Sequence, residues 1–379
     1  MKVDSRHLVS SRTRFLIGVL LFFGVLIIRL ALCAQAPVKT IDLARNLLYG
    51  EQVLQHGLGA GDFSLREMGL GLDKARMPVT FSGFSYQYPV MTLVFFSAVA
   101  MVHPSFFFAK LVLTLLELVN SFLVFRYSKD RILAMIYWIN PVSIWWVSGE
   151  GQFEAFQNFL VITALVFLLG KKQPFRTGIA FFFLMLAVQV KLSPILLVPY
   201  FFLHAWKKGR GHIPAALLGM LAGVLPALIG MCAYDWTRAA SAMAFPINYH
   251  YWNPWRQELF HGLPMQLRLF YAGLSWAFIG VLGVRAFRSS DRIAYLAPLA
   301  LLLLFKFQPL VQPWYFVILP SLILPIPERG IRRFLTLWSG YLELSASGHL
   351  IFGISGWTNG GIFKDISVFE RLKSVSLRS

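Results

Sequence analysis

Asp42, Glu150, Glu154, Lys191 and Arg256 are ionisable residues set at the edges of long apolar runs, in a chain with only 17 acidic residues among 379. Ionisable groups in such places are costly and mark candidate functional sites. The densest stretch is WWVSGEGQFEAFQN, residues 145–158, where Gly149 and Gly151 allow a tight backbone turn around Glu150. A carboxylate such as Asp42 can take a proton from a hydroxyl, an assistance worth about 10²–10⁴-fold in rate. Lys191 and Arg256 can stabilise charge growing on phosphate oxygens. Gln152 and Glu154 can hydrogen-bond hydroxyls of a bound molecule. Plain structural readings stand beside these. Asp42 suits a helix N-cap, Glu154 the positive end of a helix dipole, and Lys191 a side chain snorkelling to headgroups. The aromatic segment FPINYHYWNPW, residues 245–255, suits an interfacial belt.

The elements that must position these residues are membrane helices. The chain is 57% hydrophobic and 14% charged, well away from a soluble domain. Apolar runs of helix-spanning length recur along it, and FLIGVLLFFGVLIIRLAL does not alternate as a barrel strand would. The expected fold is all-α, a polytopic transmembrane bundle of about 11–12 membrane segments forming one domain over 1–379. Segments are expected at 15–34, 89–103, 106–126, 132–147, 154–169, 177–190, 192–206, 213–234, 268–287, 292–307, 313–326 and 333–353, with 35–88 a long outer loop and 354–379 a tail. The first run follows Arg6, Arg12 and Arg14 and reads as a span rather than a cleaved leader.

The net charge of +18 sits in short clusters between apolar runs, which is the positive-inside pattern and excludes a nucleic-acid reading. RYSKDR, GKKQPFR, WKKGRGH, RAFRSSDR and PERGIRR share the cytoplasmic side only if 89–103 dips in and returns. Asp42, Glu150, Glu154 and Lys191 then meet on the outer face. Cys33 and Cys232 suggest neither a disulfide framework nor a zinc site.

In order along the chain come TIDLARNLLYGEQVLQHG, FSYQYPVMTLVFF, NPVSIWWVSGEGQFEAFQNFLVITALVFLL, GIAFFFLMLAVQVKLSPILLVPYFFL and QPWYFVILP. This order resembles the GT-C superfamily of integral-membrane glycosyltransferases, in particular polyprenol-phosphate-mannose-dependent mannosyltransferases and the catalytic subunit of GPI mannosyltransferase I, over roughly residues 15–325. The resemblance implies a GT-C fold and inverting hexose transfer, with mannose expected. The donor would be a polyprenyl-phosphate sugar and the acceptor a lipid, glycan or protein. Asp42 matches the family's catalytic base, with Asp62 in reserve. Tyr49, Tyr86, Tyr88, Gln152, Glu154, Lys191, Arg256, Trp314 and Tyr315 are the substrate-binding candidates. The sequence departs from the family where Val90 replaces a second proline and Glu154 an aspartate.

No cofactor and no metal is expected, and no Rossmann or phosphate-loop motif occurs. Partners would be the donor, the acceptor and membrane lipids, without nucleic acid. The competing readings are a transporter or flippase of lipid-linked sugars, which predicts an internal repeat, and a non-catalytic membrane subunit. The absence of an Asn-X-Ser/Thr sequon points to a bacterial inner membrane rather than the endoplasmic reticulum.

Overall fold

The computed structural model describes residues 5–35, 37, 42–64, 67–68, 86, 88–233, 277, 279–307 and 317–339, and these residues form helices and connections without strands. The elements are α1 (Ser5–Ala34), α2 (Asp42–His56), α3 (Val90–Val102), α4 (Phe106–Ser128), α5 (Arg131–Trp138), a π-helix (Ser143–Gly149), α6 (Glu154–Leu168), α7 (Pro174–Val188), α8 (Val198–Lys208), α9 (His212–Ala233), α10 (Leu296–Phe307) and α11 (Leu319–Ile323). Residues 279–288 and 329–339 are helical as well.

The all-helical, apolar character expected of an integral-membrane protein holds among the described residues. Among them three helices, Leu16–Ala34, Phe106–Ser128 and His212–Gly230, are long and apolar enough to cross a bilayer, and a fourth arises if the pair α5 and π-helix, bent by 53°, is one span. The other apolar helices are shorter, because a helix rises about 1.5 Å per residue and a hydrocarbon core is about 30 Å thick. Their ends are set locally. Pro174 opens α7, Ser105 caps α4 by accepting from the Phe108 amide at 3.2 Å, and Lys129 closes α4 in a left-handed conformation.

The segment expected to dip and return is a single helix of 13 residues, α3, rather than a hairpin of two. Its first amide, Met91 N–H, donates to the Gln189 carbonyl at the end of α7 (3.2 Å), and the Thr92 hydroxyl donates to the Val190 carbonyl (3.0 Å). Beyond it, Lys110 in the first turns of α4 caps the C-terminal end of α1, donating to the carbonyls of Leu32 at 2.6 Å and Gln35 at 2.5 Å. Basic residues follow the C-terminal ends of α4 and α6.

A buried polar network ties the helices together in the apolar interior. Glu117 of α4 accepts from the hydroxyls of Ser143 (2.6 Å) and Tyr137 (3.2 Å) and from the Asn120 amide (3.3 Å). Asn158 of α6 donates to the Tyr137 oxygen and to the Val317 carbonyl. Lipid tails provide little hydrophobic drive for helix association, so such bonds and close packing set the arrangement.

Candidate functional site

The site begins at the first residue of α2. α2 is amphipathic, and its apolar face, with Leu43 and Leu47, joins the main core. That packing turns Asp42, Arg45 and Asn46 toward the outer end of α6. Gly50 on the same helix sits against the backbone of α3: a Cβ there would meet the Phe96 carbonyl oxygen at 2.5 Å. The facing wall is the loop after the π-helix. It turns at Gly151, whose φ is +76° and whose missing Cβ leaves room for Leu43.

Asp42 accepts from the Arg45 guanidinium at 3.0 Å through one oxygen and from the Gln152 amide at 3.1 Å through the other. Glu154, fully enclosed in the first turn of α6, forms an ion pair with Lys191, which stands just past α7. Aromatic rings separate the two acid–base pairs. The Arg45 guanidinium lies 5.1 Å from the Tyr88 ring centre, and the Lys191 ammonium lies 4.7 Å from the Phe153 ring and 5.8 Å from Tyr88. Tyr88 meets Tyr86 at 5.8 Å, and Tyr86 meets Tyr49 at 4.8 Å. The Tyr86 hydroxyl donates to Asn46 at 3.0 Å, and the Tyr49 hydroxyl donates to the Phe63 carbonyl at 2.9 Å. Burial pushes the Tyr49 phenol up, which keeps it a donor.

Three polar atoms of this cluster are buried without a hydrogen-bond partner among the described residues: Asn46 Nδ2, Gln152 Oε1 and Glu154 Oε2. A buried unsatisfied group costs about 1–3 kcal/mol. One donor and two acceptors left open together, among two acids, two cations and stacked rings, suit a ligand with hydroxyls and a charged group. The structure thus brings together Asp42, Tyr49, Tyr86, Tyr88, Gln152, Glu154 and Lys191. Arg256, Trp314 and Tyr315 lie outside the described residues. Asp62 is apart, in the wall of a cavity of about 430 Å³ with Gln52, His56 and Glu67. No group of three or more His, Cys, Asp or Glu placed for a metal occurs among the described residues. Arg45 and Asn46 were not anticipated, although they stand at the third and fourth positions after Asp42, where a helix brings side chains to one face. Glu150 is buried beside the site at the end of the π-helix.

A family model described as GPI transamidase subunit PIG-U matches residues 64–237. The match covers a little under half of the chain, taking in α3 to α9 with Gln152, Glu154 and Lys191, and leaving α2 outside. No curated protein and no solved structure matches.

This finding overturns the glycosyltransferase reading, the mannosyltransferase class and the transporter or flippase alternative. With them goes the polyprenyl-phosphate-sugar donor as a partner. The order of motifs that suggested sugar transfer had no single tight motif in it, and the stretch containing most of them matches a family of another activity. Asp42 itself accepts one bond from Arg45 and one from Gln152, which leaves each carboxylate oxygen a further acceptor site.

Proposed function

We propose that this chain is a membrane-embedded subunit of a GPI transamidase assembly and that its outer-face cluster recognises the polar head group of the glycolipid. The single observation that carries the reading is the enclosed cluster around Lys191 and Gln152, with open hydrogen-bonding atoms, in a stretch that resembles PIG-U. A glycosylphosphatidylinositol head group has hydroxyls and phosphate to meet such a cluster, and its acyl chains would lie along the apolar flanks of α1 and α9. In this reading the chain supplies recognition and positioning. It works beside other transamidase subunits and protein substrates, in the endoplasmic reticulum membrane rather than the bacterial inner membrane.

Cells lacking the chain test the proposal. A reporter protein carrying a GPI-attachment signal should remain unanchored while the free glycolipid accumulates. The wild-type chain should restore anchoring, whereas Gln152→Ala and Lys191→Ala should restore it several-fold less while still assembling with the other subunits. Normal anchoring in the deleted cells would sink the proposed activity, and full rescue by both variants would sink the site.

A further inference from the structure

Arg29 is completely buried within α1, although Leu20, Phe23 and Ile27 of the same helix are exposed. Its guanidinium reaches the two ends of the π-helix at once. One terminal nitrogen donates to Ser148 Oγ at 2.9 Å, and the other donates to Ser143 Oγ at 3.1 Å and to the Trp138 carbonyl at 2.9 Å. The guanidinium carbon lies 4.6 Å from the Trp138 ring centre. The Trp138 carbonyl belongs to the end of α5, where the backbone breaks and helix carbonyls lack partners. From the opposite side α4 holds the same two serines, Thr114 donating to Ser148 Oγ at 2.9 Å and Glu117 accepting from Ser143. Immediately after this clamped segment come Gln152, which bonds Asp42, and Glu154, which pairs with Lys191.

We propose that Arg29 is the positioning residue of the outer-face site: by spanning Ser143 and Ser148 it fixes the register of the π-helix and delivers Gln152 to Asp42. The physical reason is geometric. A π-turn is rarer than an α-turn and persists only where its surroundings determine it. A planar guanidinium with several fixed donors can hold two hydroxyls and a carbonyl at defined separations; an ammonium is a point charge and cannot. α1 thus acts on the site without touching it. That consequence for recognition rests on the reading of the cluster given above, but the coupling itself is a statement about geometry.

Cross-linking reads it directly. In a full-length chain with Cys33→Ser and Cys232→Ser, the pair Asp42→Cys with Gln152→Cys is joined by a short bifunctional thiol reagent in native membranes. A control pair, Thr177→Cys with His212→Cys, tests the junction of α7 and α9, where those side chains now lie 2.7 Å apart. Arg29→Met should lower joining of the first pair at least fivefold and leave the control pair unchanged, and Arg29→Lys should restore only part. Unchanged joining of the first pair in Arg29→Met overturns the inference. If both pairs fail there, Ser148→Ala, which removes a single hydroxyl, decides. Loss confined to the first pair supports the positioning role, and any other result in that variant rejects it. Because joining needs no glycolipid, a failed anchoring assay and a failed positioning role can be told apart.

Discussion

The asymmetry within the Glu154–Lys191 pair is the most informative feature at the residue scale. The Glu154 side chain is 1% exposed and that of Lys191 16% exposed. Removing the lysine strands a buried carboxylate, which costs about 3–5 kcal/mol when a buried pair is broken. Removing the acid leaves an ammonium that can still reach water and the ring faces of Tyr88 and Phe153. Lys191→Met should therefore lower the thermal midpoint in detergent by more than Glu154→Gln, and the double variant should lie nearer Glu154→Gln. Equal losses from the two single changes would contradict this account. Asp130, at the opposite end, gives a pH dependence. It caps α5 through the Ile132 and Leu133 amides and holds Arg333 through two 2.8 Å bonds. Burial pushes its acid up, but the bonds from Arg333 and the two amides outweigh burial and hold it below the ordinary 3.8. The unfolded chain then binds more protons than the folded one on the acid side. Its stabilisation is complete above that ordinary value and disappears as pH falls through the lower folded value. Melting curves from pH 7 downward should show Asp130→Asn less stable than wild type at neutral pH and converging with it in acid.

The close approach of α2 to α3 at the element scale depends on one missing side chain. Gly50 faces backbone rather than a flexible side-chain end, so the neighbour cannot yield cheaply. Gly50→Val should cost about 1–3 kcal/mol by overpacking. It should also pull Asp42 away from Gln152, because Asp42 lies on the wall that α2 forms and Gln152 on the loop that faces it. The check is a melting curve together with cross-linking between positions 42 and 152. A normal melt with normal joining would mean that α2 is not held by this contact. Legibility in the sequence divides at the same scale. The apolar runs announced α1, α4 and α9, and Asp42, Gln152, Glu154 and Lys191 stood out because polar groups beside apolar runs are expensive. Arg45 and Asn46 did not stand out, since an exposed-looking amphipathic helix gives no hint of which face will be enclosed. Arg29 in VLIIRLAL and Glu117 in LLELVN carried a clear signal, an ionisable group inside a span. It was the pairing of these two through Ser143 that no spacing could reveal.

For the whole molecule, the polar site and the basic clusters lie at opposite ends. Single cysteines in a background lacking Cys33 and Cys232 should show it. His56→Cys and Lys129→Cys are both at exposed positions, one at the end of α2 and the other just past α4. An impermeant thiol reagent added from the non-cytoplasmic side should label the first and spare the second until the membrane is opened. Labelling of both from one side would mean that α4 does not cross. The count of spans could not be read from apolar content alone. α3 and α6 are as apolar as the longer helices, and it is their length, 13 and 15 residues, that sets them apart. Function was the least legible level. The arrangement of membrane helices and polar residues suggested a chemistry, and the family match at 64–237 points away from it.

The π-helix at Ser143–Gly149 also has a consequence for how the chain tolerates change in length. A π-turn contains an extra residue relative to the α-turn, and the Glu150 amide reaching back five positions to the Trp145 carbonyl is its signature here. Substitutions that keep size and polarity leave that count intact. Deleting one residue, such as half-buried Trp145, removes the extra residue and brings Ser143 and Ser148 one position closer along the chain, out of the spacing that Arg29 spans. Gln152 and Glu154 would then lose the support of that clamp with every site residue still present. Related chains should accordingly keep the length of 143–149 even where residues other than Ser143 and Ser148 differ.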